Sequence, residues 1–315
     1  MDRRDLGGIA ACIAAQVILG VSVPLTRGIV DYPVMTGQAV RYALAAAALG
    51  LLARVGFGGP PARPGRPAPR DLLALFGVAV TGLVGFNLCM VTAVRHADPA
   101  VVGTIVGAAP LGLALIGPLM RHQRPTARIM LAAGLIVAGT ALVHGSGQAD
   151  ALGTLAALGT LVGEIAFSVF AAMALPRLGA VRVSAYSCAL AVPMLIVGAI
   201  AIGEVPRTPT MVEAATFAYL AVLLTVVAFV AWFSGLTRLG VARAGLFVGL
   251  APVAAIVTAS IQDGRWPVPA QATGVVIVAV ALTFGDGKRT PDPVRDPTDR
   301  SVLRVSSAGA TNSET

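Results

Sequence analysis

Gly103-Thr104-Ile105-Val106-Gly107-Ala108-Ala109-Pro110 returns 142 positions later as Gly245-Leu246-Phe247-Val248-Gly249-Leu250-Ala251-Pro252, in the shared frame G-x-x-x-G-x-A-P. Composition alone yields one such match about one time in twenty in a chain this rich in Gly, Ala and Pro, so the surroundings of the octets decide their meaning. Those surroundings are apolar: of 315 residues, 56% are hydrophobic and 12% charged, and the mean hydropathy is +0.83. Soluble domains carry about twice that share of charge, so this is the composition of a polytopic membrane protein.

Apolar stretches long enough to cross about 30 Å of hydrocarbon can be marked off by their charged or Pro/Gly-rich breaks. They are approximately Gly7–Thr26, Val34–Ala53, Leu72–Thr92, Pro99–Met120, Ile129–Val143, Leu152–Ala174, Val183–Ile202, Ala215–Leu236, Ala244–Ile261 and Val268–Gly285. The reading is an all-α membrane protein with ten transmembrane helices. Arg3 and Arg4 precede the first stretch, but no short apolar region with a small-residue cleavage site follows, so it is read as a retained helix.

Arginine and lysine orient the bundle, because cytoplasmic flanks carry the excess of positive charge. With the N-terminus inside, the inner segments hold 18 of the 23 basic residues, the outer segments hold Arg27, Arg95, Arg207 and Arg265, and Arg41 lies within a span. Both termini are therefore expected in the cytoplasm of a bacterial cell, with the bundle in the inner membrane. This topology also accounts for the net charge of +8 without nucleic acid as a partner. The inner loop 54–71 reads as a stop-transfer anchor, and the polar tail 286–315 is expected to be disordered.

The octets fall in the fourth and the ninth span, and a step of five spans reverses direction across the membrane. The chain thus reads as two inverted five-helix repeats, residues 1–147 and 148–285, followed by the tail. Ala100 and Ala242, Gly103 and Gly245, Gly107 and Gly249, and Pro110 and Pro252 keep one offset, and a two-residue gap pairs Gly134 with Gly274. Inverted repeats place a site at the midplane between the halves.

With its two five-helix repeats, the octets ending in Ala109-Pro110 and Ala251-Pro252, and Arg41-Tyr42 early in the second span, the chain resembles the EamA group of the drug/metabolite transporter superfamily over roughly residues 7 to 285. The resemblance implies a secondary transporter, commonly an exporter of amino acids or other small metabolites, with a central cavity built from both repeats. The chain departs from the family pattern twice. His122-Gln123 and Gln262-Asp263 stand near the usual Gly-Glu pairs, and Leu19 and Glu164 stand where a Trp is frequent.

Glu164 is the sharpest chemical signal. It sits in the middle of LGTLVGEIAFSVF, where an ionised carboxylate costs about 2.5 to 3.5 kcal/mol on insertion scales. It is expected to face a cavity or a partner and to exchange a proton or bind a cationic group, the alternative being a structural pair with a neighbouring donor. Arg41 is the candidate partner, about 10 Å below the outer surface against about 18 Å for Glu164, if their helices are neighbours; snorkelling beside Tyr42 is the competing reading. Gln16, Asn87, Tyr186 and Trp232 complete the candidate substrate or coupling set, although such groups also serve as interhelical glue and aromatic anchors. Gly103, Gly107, Pro110, Gly245, Gly249 and Pro252 are expected to allow close packing and to kink their helices beside the cavity. Gly134 and Gly274 offer a face for a homodimer as an alternative.

Catalytic signatures are missing: GxSxG, the P-loop, HExxH and paired acidic motifs do not occur, and His96, His122 and His144 lie at separate helix ends. Cys12, Cys89 and Cys188 fall in apolar runs without metal spacing. No enzyme activity, cofactor or metal is expected. The expected partners are a small-molecule substrate and the lipid bilayer, with energy from a gradient. The alternative from another class is a non-transporting membrane scaffold or receptor acting through its cytoplasmic tail.

Overall fold

The computed structural model describes residues 3–25, 29, 31–57 and 67–285. The expected disordered tail and most of the 54–71 loop lie outside them. The described chain is helical: α1 (Arg3–Leu25), α2 (Val34–Arg54), α3 (Pro69–His96), α4 (Pro99–Leu119), α5 (Ala127–His144), α6 (Ala151–Ala201), α7 (Met211–Leu239), α8 (Val241–Asp263) and α9 (Pro269–Gly285). Among the described residues eight of these, all but α9, are long and apolar enough to cross a membrane. In lipid no water completes an open backbone, so the chain satisfies its N–H and C=O groups inside helices.

Two of the ten expected spans are drawn differently. The 51 residues of α6 form two arms, because Gly179 interrupts the helix at φ 75°, ψ 165°. Gly240 joins α7 to α8 with almost the same angles, φ 78° and ψ 163°. Both lie in the left-handed half of the backbone map, open to glycine without a Cβ penalty. The loop expected between Ala174 and Val183 is thus a one-residue joint, with Arg177 and Arg182 carried on the helices themselves. The last span is a helix of 17 residues, Pro269–Gly285.

Helix ends follow their sequence signals. Asp150 caps α6 by accepting from the Gly153 N–H at 2.7 Å, and Thr210 with Glu213 forms a capping box at α7. Glu204 reaches across from the end of α6 and caps α2, accepting from the Met35 and Thr36 N–H groups at 2.9 Å each. Next to it, Arg207 forks onto Glu213 and lies 4.8 Å over the Tyr32 ring. At the other, arginine-rich end, Asp71 of α3 meets Arg177 at 3.4 Å and Asp5 of α1 meets Arg243 at 3.6 Å.

Two local features recur 141 to 142 residues apart. α3 contains a π-helical stretch, Ala79–Gly85, and α7 contains another, Leu220–Val227. Each octet also breaks its helix: α4 is interrupted at Gly107-Ala108, and α8 tightens into a 3-10 turn at Phe247–Gly249. The proline three residues on supplies no N–H to the turn before it, which is why the regular ladder stops there.

Packing relies on small residues, as expected where lipid tails compete with side chains for apolar contact. Gly20 of α1 lies against the backbone of Ala251 and Ala255 in α8, and Gly139 of α5 and Gly274 of α9 face one another's carbonyls. Gly274 is therefore spent on an internal crossing and offers no dimer face, whereas a Cβ at Gly134 would meet open space. Gly103 and Gly107 pack on His144 and Thr140 of α5, while Gly245 and Gly249 pack on Leu113 of α4 and Ile136 of α5. The two octet helices thus meet, and they do so away from the cavity described next.

Candidate functional site

A cavity of about 160 Å³ opens at mid-height between α1, α2, α3, the first arm of α6, and α7. α1 contributes Ala15, Gln16 and Leu19; α2 contributes Arg41 and Tyr42; α3 contributes Gly82, Phe86 and Asn87. From the second half come Glu164 and Phe167 on α6, and Leu224, Ala228, Phe229 and Trp232 on α7. The volume suits a benzene-sized solute or a few waters.

The wall repeats itself. Gln16 and Leu19 stand 148 positions before Glu164 and Phe167, and Gly82, Phe86 and Asn87 stand 142 positions before Leu224, Ala228 and Phe229. Residues i and i+3 lie on one helix face, so each half turns one face of its helices to the same space. Both π-helical stretches reach the wall, through Gly82 and Leu224. A π turn widens a helix locally and re-aims the side chains after it, here Phe86-Asn87 and Ala228-Phe229.

Polar groups line a mostly apolar surface. Phe167, Phe229 and Phe233 form a ring cluster with centroids 5.3 to 5.9 Å apart. Trp232 Nε1 donates to Ser168 Oγ at 3.2 Å, so the indole is tied to α6. Asn87 donates through Nδ2 to the Leu83 carbonyl at 2.5 Å and to the Tyr42 hydroxyl at 3.2 Å. Gln16 is 4% exposed, and its Oε1 has no hydrogen-bond partner in the protein.

Arg41 and Glu164 share the cavity, but the expected ion pair between them is not formed among the described residues. Arg41 is 8% exposed. It donates through Nε to Thr225 Oγ1 at 2.8 Å and through Nη1 to Gln38 Oε1 at 3.2 Å. Its guanidinium carbon sits 5.0 Å from the centre of the Tyr42 ring. Thr225 offers a nearer acceptor because it belongs to the π stretch, where its hydroxyl in turn donates to the Leu220 carbonyl five residues back at 3.0 Å. Nor does Arg41 extend to the protein surface beside Tyr42, since it is buried and bonded to Thr225 and Gln38.

Of the six candidate substrate or coupling residues, Glu164, Arg41, Gln16, Asn87 and Trp232 come together, and Tyr186 does not. Tyr186 is 41% exposed on the second arm of α6, which puts it outside the wall. None of the octet residues Gly103, Gly107, Pro110, Gly245, Gly249 and Pro252 lines the cavity. Their kinks fall one helix layer away, where α4 and α8 meet. The sequence reading passed over Thr225 and Gln38. Gln38 had a signal, since it lies one turn from Arg41; Thr225 sits in LAVLLTVVAFV with nothing local to mark it. Among the described residues no cluster of three or more His, Cys, Asp or Glu suited to a metal occurs.

The comparisons with known proteins agree with this architecture. The family model described as EamA-like transporter family matches twice, over residues 6–145 and 151–284. Two relatives from Bacillus subtilis (strain 168), both described as uncharacterized transporters, align along most of their length. YdeK is 27% identical over 90% of this chain and 99% of its own, and YetK is 22% identical over 82% of this chain and 80% of its own. A solved crystal structure superposes with a TM-score of 0.72 at 18% identity, covering 89% of this chain and 96% of the other, which establishes the shared fold. Members of this family are membrane transporters rather than enzymes. With both repeats matched and apolar helices throughout, the chain is an integral membrane protein that belongs to the EamA-like transporter family.

Proposed function

We propose that this protein is a secondary transporter that exports small metabolites or amino acids by alternating access, with Glu164 carrying the coupling proton. The observation that carries the proposal is a carboxylate with no ion-pair partner among the described residues, standing in a mid-membrane cavity walled by helices of both repeats. A carboxylate held by a fixed arginine would stay ionised. One that faces only a cavity can take up a proton on one side and release it on the other.

The architecture behind this reading is ten spans in two inverted halves, counting the arms of α6 separately and α9 as the last span. The glycine joint at Gly179 divides α6 into two spans, and the recurring π stretches are consistent with equivalent third helices in the two halves. Rocking of one half against the other would open the cavity to either side in turn. Both termini on the cytoplasmic side of a bacterial inner membrane follow from the arginine bias.

Flux measured in Glu164→Gln tests the proton role. The expected result is transport that no longer responds to an imposed pH gradient. Undiminished pH-dependent transport in that variant would remove the role from Glu164.

A further inference from the structure

Three side chains, Gln16, Asn87 and Glu164, line the cavity with four acceptor oxygens that no donor among the described residues engages. Gln16 Oε1 is buried and has no partner in the protein. Asn87 is oriented by its amide nitrogen, which is committed to the Leu83 carbonyl and the Tyr42 hydroxyl, so Oδ1 is the atom left for the cavity. The Leu83 carbonyl only accepts, which fixes which end of the Asn87 amide points at it. Glu164 adds two further oxygens with no ion pair. The one cation in the wall, Arg41, has Nε and Nη1 engaged by Thr225 and Gln38 and does not pair with Glu164. Gln16 on α1 and Glu164 on α6 approach the cavity from different halves of the chain.

We infer that Glu164, Gln16 and Asn87 form a receptor for a primary ammonium group on the transported solute. A primary ammonium is a cation with three N–H donors, one for each of the three side chains, and an apolar chain on it suits the rings of Phe86, Phe167 and Trp232. A quaternary ammonium carries the same charge and no N–H, so it would leave the oxygens of all three side chains unpaired. A site built on hydrogen bonds rejects an analogue that cannot make them. This inference rests on the cavity being the transport site and deepens that reading by naming the head group it selects.

Trp232 supplies the measurement. The chain has two tryptophans, and the other, Trp266, is 94% exposed. In a Trp266→Phe background the emission reports on the cavity wall alone. The full-length protein in lipid nanodiscs is titrated with n-propylammonium chloride, N,N,N-trimethylpropylammonium chloride and sodium chloride. The expected result is a saturable emission change with propylammonium and an apparent Kd about tenfold or more weaker for the trimethyl compound. Gln16→Leu and Asn87→Leu weaken propylammonium binding by about tenfold, whereas Gln16→Glu, which keeps an oxygen in place, retains it.

Equal affinity for the two ammonium ions overturns the inference, as does a saturable response to sodium chloride alone or unchanged binding in both leucine variants. Binding is read at equilibrium without flux. A protein that selects propylammonium but does not transport refutes the transporter reading and leaves this one standing. A protein that transports with pH dependence yet binds both ammonium ions alike does the reverse.

Discussion

Replacing Thr225 by valine keeps a β-branched side chain and removes one oxygen. That oxygen accepts from Arg41 Nε at 2.8 Å and donates to the Leu220 carbonyl at 3.0 Å, so it fastens the cavity's arginine to the π turn of α7. Hydrogen bonds to charged groups contribute about 1.5 to 3 kcal/mol in general, whereas side-chain bonds within membranes average about 0.6 and reach about 1.7 kcal/mol. The upper end of the membrane range applies here. Arg41 is buried and its other bond goes to Gln38, so losing Thr225 leaves a charged donor with no substitute acceptor among its bonded partners. A loss of about 1.5 kcal/mol is expected, which is roughly tenfold in the folded-to-unfolded ratio. The assay is reversible unfolding in mixed micelles of increasing SDS fraction, with Thr225→Ser restoring most of the stability. In an Arg41→Met background the Thr225→Val substitution should cost far less, because the two residues act as one unit. A loss below about 0.5 kcal/mol, or the same loss with and without Arg41, would refute the link.

The helix crossings make opposite predictions for two glycines. A Cβ at Gly20 would sit on the Ala251 carbonyl and beside the Ala255 nitrogen, so Gly20→Val should destabilise by about 1 to 3 kcal/mol, while Gly134→Ala, facing open space, should be neutral or stabilising in the same unfolding assay. At the α6 cap, the Gly153 N–H and then His96 hold the Asp150 carboxyl below the usual carboxylate range. A depressed carboxyl contributes stability above its unfolded value, about pH 4, and loses that contribution as the pH falls through its lower folded value. Thermal melts should therefore separate wild type from Asp150→Ala at pH 5 and converge toward pH 3; a gap that widens on acidification contradicts the sign.

Much of this molecule was legible before any coordinates. Apolar runs with arginine-marked ends located the helices to within a few residues, because a chain in lipid must satisfy its backbone in helices about as long as the bilayer is thick. The octets were found as repeats and do break their helices, as proline requires. The error concerned their neighbours: Gly103 and Gly107 press on α5, Gly245 and Gly249 press on α4 and α5, and neither octet touches the cavity. Periodicity tells which residues share a helix face, and says nothing of which helix covers that face. For the same reason the sequence does not separate Tyr186 from Trp232, although only the tryptophan reaches the wall.

The sequence by itself determined the class of protein, the two repeats and the costly position of Glu164. These depend on hydropathy, chain-local spacing and the energy of a charge in hydrocarbon, all properties of short segments. Only the tertiary structure decided that Arg41 is held by Thr225, 184 residues away, rather than by Glu164. It alone showed that Glu164 and Gln16 reach one cavity. Such pairings depend on distances between helices and on the extra residue in a π turn. No local pattern encodes those distances, because they are set when the helices pack.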